Sequence, residues 1–157
     1  MAENDVPTLH AWVGGTEKLE TLFARFYERV RDDALLAPIF ADMHPEHHRH
    51  VAAFVAEVFG GPPAYSEHLG GHAAMVRKHL GKHLNDAQRK HWMNLLLDTA
   101  DEVGVPTDPE FRSALVGYLE WGSRLAVMNS QPGAQAVESA PMPVWNWGAP
   151  GGPYVEK

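Results

Sequence analysis

Three helical turns with apolar residues at every third or fourth position set the fold of this chain. After Gly14-Gly15, Thr16 is placed to cap a helix in which Leu19, Leu22, Phe23, Phe26, Tyr27 and Val30 follow i, i+3, i+4, i+7 spacing. No Val/Ile/Thr alternation bounded by hairpin turns occurs anywhere, so strands are not expected. The reading is all-α.

The rest of the chain agrees with this. A second helix is predicted from near Pro45, which suits a first helical position, through Val51, Phe54, Val55 and Val58 to a stop at the "GGPP" of residues 60–63. Residues 64–72, "AYSEHLGGH", have no period and read as a loop leading to a short helix around Ala73 to Leu80. Asn85 with Gln88 three places on is a capping-box pattern, opening a helix with Trp92, Leu95, Leu96, Thr99 and Val103 on one side and Gly104 at its end. Asp108-Pro109-Glu110 launches a last helix carrying Phe111, Leu115, Tyr118, Leu119, Gly122, Leu125 and Ala126, expected to end near Asn129. The division is therefore a domain over residues 1–129 and a Pro/Trp-rich extension over 130–157, whose Trp145 and Trp147 are expected to dock on the domain.

Composition removes several classes of function. The net charge of −7 over 157 residues, with no basic run, argues against a nucleic-acid partner. No apolar stretch approaches the ~20 residues of a spanning helix, and "MAENDVPT" lacks the basic start and apolar run of a signal peptide. The expectation is a soluble, cytoplasmic protein, with no membrane partner, as a monomer or homodimer. With ten histidines and no cysteine, imidazole is the strongest metal-binding side chain the sequence holds, and thiolate chemistry is excluded. No "GxSxG" turn or phosphate-binding glycine loop is present.

Which histidine matters is less plain. "HPEHHRH", residues 44–50, offers His44, His47 and His50 as zinc or nickel ligands, or else a wet helix start. His47 shares the apolar face of Val51, Phe54 and Val55, whereas His48 does not. In "MVRKHLGKHL", residues 75–84, His79 lies beside Met75 and Val76 on the apolar side of a helix of barely two turns. That helix alone leaves two readings open, a core histidine bonded to a carbonyl or a ligand. Tyr27 and Trp92, on apolar stripes, read without further context as core aromatics.

Taken in order, "GGTEKLETLFARFYERVRDDALLAPIF", "FGGPPAYSEHLGGH", "VRKHLGKHLNDAQRKHW" and "DPEFRSALVGYLEWGSRLAVMNSQ" resemble a truncated haemoglobin of group II over roughly residues 9–130. The resemblance rests on joint spacing: glycine pairs at 14-15 and 60-61, Phe26-Tyr27, Phe40 thirteen beyond Tyr27, and Trp92 thirteen beyond His79. It implies a two-over-two helical sandwich enclosing haem b, with His79 as the iron ligand. It also implies distal positions Tyr27, Trp92 and His47, pocket walls Phe40, Val51 and Val55, and propionate contacts from Tyr65, Lys78 and His83. Phe40 stands where some members carry tyrosine, which removes one hydroxyl donor.

If His79 is the ligand, its other N–H is expected to donate to a carbonyl one turn back, near Met75, and the ring must stay neutral. Tyr27 and Trp92 could both donate to a bound dioxygen, and nitric oxide or carbon monoxide are further candidate ligands. The inward or outward orientation of His47 stays open. Three functions compete: oxygen binding; a redox enzyme carrying out nitric oxide dioxygenation or peroxidase chemistry; and a haem-free histidine metal module. The redox enzyme needs an external reductase, because no flavin or nicotinamide segment is recognisable.

Overall fold

The computed structural model of the chain describes residues 6–137 and 139–153. Among these, seven α-helices and one 3-10 turn are present and no strand. They are α1 (Leu9–Val13), α2 (Gly15–Arg31), the 3-10 turn (Ala37–Phe40), α3 (His47–Val58), α4 (Ala64–His68), α5 (Gly71–His79), α6 (Asp86–Glu102) and α7 (Pro109–Asn129). α2 packs most extensively on α3, α6 packs on α7, and α2 also meets α6, so two helical pairs are laid one on the other. α5 contacts α7, and this places the short helix at the edge of the pair.

The periodic stripes explain most of this arrangement. All six apolar residues of α2 named above are buried, with Phe26 and Val30 fully so. Burying a large apolar side chain stabilises the fold by roughly 1.5–3 kcal/mol before entropy is counted, so this helix anchors the core. Both halves of the Asn85/Gln88 capping box form, and Asp108 accepts the Phe111 N–H with Pro109 at the first helical position.

Four local features differ from the sequence-based expectation. α2 is opened by Gly14 at φ +109°, and the Thr16 hydroxyl is bonded instead to the His10 imidazole at 2.9 Å. A left-handed turn at glycine replaces the side-chain cap. α3 begins at His47, two residues after Pro45, so His47 occupies its first position. Within the expected loop, residues 64–68 form α4, and they bury Tyr65 completely. On α6, Met93 and Arg89 are buried, while Trp92 is only half-buried because it faces a cavity.

The extension crosses back over the helices. The Trp145 N–H donates to the Val58 carbonyl at 2.9 Å, and its ring meets Tyr118 and Trp121. Trp147 is buried, with its indole N–H on the Pro7 carbonyl at 2.7 Å. No helix among the described residues is long and apolar enough to cross a membrane.

Candidate functional site

α2, α3, α5, α6 and α7 together enclose a cavity of about 530 Å³ whose lining is mainly apolar. That volume lies within the usual range for small-molecule and cofactor sites. Phe40, Val51, Val55, Met75, Val76 and Leu119 supply apolar wall, and Lys78 and Lys82 add basic groups.

His79, the last residue of α5, lines this cavity. One ring nitrogen bonds the Met75 carbonyl one helical turn back, leaving the other for a ligand. Burial pushes its pKa down to about 4; the Met75 bond partly opposes the shift and the charges of Lys82 and Lys78 add to it. At neutral pH the imidazole is therefore uncharged, the form that can coordinate a metal.

A second set of side chains converges on one oxygen. The Tyr27 hydroxyl lies 3.2 Å from His47 Nε2, and the Trp92 indole N–H is directed to the same hydroxyl. Tyr27 stacks edge-on against His47, with ring centroids 4.8 Å apart, and against Phe40 at 5.4 Å. Burial raises the Tyr27 pKa far above its usual value, an effect only partly offset by Trp92, so the phenol keeps its proton. His47 is likewise pushed down to about 4, by burial first and then by Lys78, His50, His79 and Lys82. His47 thus points inward.

The histidine run is split by this geometry. His47 turns to Tyr27, while His44 Nδ1 accepts the Glu46 N–H at 3.0 Å and its ring lies 5.1 Å from that of His50. Among the described residues no group of three or more His, Asp or Glu side chains converges to hold a metal.

The residues expected at the propionate edge separate. Lys78 lines the cavity and also lies over the Tyr65 ring at 5.7 Å. Tyr65 does not line the cavity; it packs edge-on to Phe54 at 5.0 Å, and its buried hydroxyl has no partner among the described residues. Burial pushes its pKa up to about 12. His83 is exposed at φ +51°, outside the lining, with its N–H on the Ser130 carbonyl.

Other lining positions carry no site reading in the sequence, among them His72, Gly122 and Ala126. His72 has a buried Nδ1 without a partner among the described residues. Gly122 and Ala126 line the cavity from α7, one turn and two turns after Tyr118. Their signal was readable: two small residues on an otherwise bulky apolar stripe leave room for something else.

These features define a helical protein with a cavity that pairs a neutral, carbonyl-anchored histidine with a hydrogen-bonded aromatic group, as in a globin. The bacterial-like globin family matches residues 8–120, and the chain belongs to that family. It is 34% identical over 117 residues to the group 2 truncated hemoglobin of Bacillus subtilis, covering 74% of this chain and 86% of that one. The group II truncated hemoglobin of Bacillus anthracis superposes with a TM-score of 0.70 at 26% identity, over 81% of this chain and 96% of that one. A truncated oxygen-avid haemoglobin from Bacillus subtilis gives a TM-score of 0.68 at 32% identity, over 77% and 99%. The fold is the two-over-two sandwich of the truncated globins, and family membership implies haem-based gas binding.

Proposed function

We propose that the chain binds haem b through His79 and retains a diatomic gas, dioxygen foremost, beneath the Tyr27 hydroxyl. The observation carrying this reading is the convergence of Tyr27, Trp92 and His47 in the same apolar cavity that holds a half-buried, neutral imidazole. The residues fit the group: apolar walls suit a porphyrin, and Lys78 and Lys82 suit its carboxylates. The haem iron, when bound, supplies reversible coordination of dioxygen, nitric oxide or carbon monoxide.

The protein's own contribution is hydrogen bonding and exclusion of water. A tyrosine hydroxyl has one proton to give. If His47 Nε2 carries a proton and donates it to the Tyr27 oxygen, the Tyr27 proton is freed for the ligand. Trp92 has a fixed N–H and no acceptor, so it can only donate, to Tyr27 or to the gas. Phe40, Val51 and Val55 keep the surroundings of these donors apolar, which strengthens each bond. The description of the Bacillus subtilis relative as oxygen-avid supports the same reading.

A donor to a partly charged acceptor contributes roughly 1.5–3 kcal/mol, so its loss corresponds to about ten- to a hundredfold faster release. Stopped-flow oxygen dissociation from Tyr27→Phe and Trp92→Phe is expected to show that acceleration, with carbon monoxide responding less. Wild-type rates in both variants would rule out the distal assignment.

A further inference from the structure

We propose that Trp121 is the surface site at which an external phenol gives up electrons to a hydroperoxide held in the cavity. This rests on the haem reading above. Trp121, on α7, is 39% exposed, yet it is also part of the cavity lining. It therefore connects the inside of the pocket to solvent through a single indole ring.

Two further rings extend the connection. Tyr118, which also lines the cavity, lies 6.3 Å from Trp121 with planes inclined by 33°. Trp145, from the extension, lies 5.9 Å from Trp121 and 5.7 Å from Tyr118. Centroid separations of this size are those of contacting aromatic pairs, so the three rings touch one another, Tyr118 and Trp121 from the cavity wall and Trp145 from outside it. Tyr118 is enclosed and its pKa is pushed well up by burial, so it parts poorly with its proton. Trp121 reaches solvent, so the electron deficit comes to rest there.

The size of the cavity favours a donor site at the surface. At about 530 Å³, a cavity filled by a porphyrin has room for a diatomic gas or a peroxide but not for an aromatic donor as well. Tyr27 and Trp92 are enclosed in the same space and cannot meet a bulky donor. The reaction balances as follows. The hydroperoxide takes two electrons and two protons, and its O–O bond breaks to give an alcohol and water. Two phenols each lose one electron and their O–H proton, and the resulting phenoxyl radicals couple in solution. Each electron enters through Trp121.

The test uses the haem-loaded full chain. With hydrogen peroxide, a spin trap and no donor, peptide mass spectrometry is expected to find the trap attached to Trp121. With a phenol grafted to a long polyethylene glycol chain, which cannot enter the cavity, Trp121→Phe is expected to slow oxidation about tenfold and Trp145→Phe by less. An unchanged Soret band in both variants shows that the pocket is intact. Trap found only on Tyr27 or Trp92, with grafted-phenol oxidation undiminished in Trp121→Phe, would overturn the proposal. Failure of the haem reading itself is distinguishable, because the wild-type chain would then show no Soret band before peroxide is added, and the proposal would fall with it.

Discussion

α6 and α5 contribute to the same cavity but are stabilised in different ways. α6 has 17 residues, a complete capping box and buried residues along its length, from Arg89 to Ala100. α5 has 9 residues, opens on Gly70 at φ +94° without a side-chain cap, and buries only Ala73 and Val76. An isolated helix shorter than about 12–15 residues is marginal in water. α6 is thus held by packing that needs no ligand, whereas α5, if His79 holds the haem as proposed above, would draw much of its order from that bond. Ligand binding to the native form stabilises that form by mass action, and under that reading the gain would fall mainly on α5.

The largest test of this contrast is His79→Ala. Haem dissociation is expected to accelerate by about a hundredfold or more, with amide exchange rising across α5 and little across α6. Equal exchange in both helices would break the distinction. Acid comes next. Burial lowers the pKa of His79 from 6.5 to about 4, so between those values the unfolded chain takes up a proton that the folded chain refuses. Stability from this source is complete above about pH 6.5 and is lost as pH falls towards 4. For His79 that loss is expected to reach about 2 kcal/mol at pH 5, and denaturant unfolding of the haem-free chain checks it. His79→Gln should remove this share of the slope and leave that of His47, whose pKa burial also pushes down to about 4.

Two smaller substitutions sharpen the comparison. In Gly70→Ala the new Cβ would sit 2.8 Å from the Ala74 Cβ in a left-handed backbone, a strain of about 1–2 kcal/mol. It should speed haem loss while barely moving the unfolding midpoint of the haem-free chain. Asn85→Ala removes half the capping box and should cost about 1 kcal/mol. That cost is expected in the unfolding midpoint and not in haem retention, the reverse of Gly70→Ala.

The same two regions show what the sequence makes legible. α2, α6 and α7 are long enough for their apolar stripes to repeat, and Asn85-Gln88 and Asp108-Pro109 mark starts by local chemistry, so their places follow from spacing. α4 does not repeat. It forms where Tyr65 packs on Phe54 and where the Glu57 carboxylate accepts the Ser66 N–H at 2.8 Å, partners nine or more residues away that no local pattern reveals. Likewise Thr16 looks like a cap, yet His10, from the preceding helix, takes its hydroxyl.

The site divides along similar lines. The bond from His79 to the Met75 carbonyl lies within one helix and follows from helical rise. The meeting of Tyr27, His47 and Trp92 requires three helices to be placed correctly, and the expectation came from the family resemblance. Tyr65 illustrates the limit. The resemblance implied a contact at the propionate edge, while packing has drawn its ring beneath Phe54 and away from the cavity lining.

The bond from Trp147 to the carbonyl of Pro7 joins positions 140 residues apart. A contact that distant in sequence closes late, because all the residues between the pair must emerge from the ribosome before the two can meet. Newly made chains should therefore pass through a stage in which the helices are assembled but the seam beside α1 is still open to proteases, and one indole ends that stage.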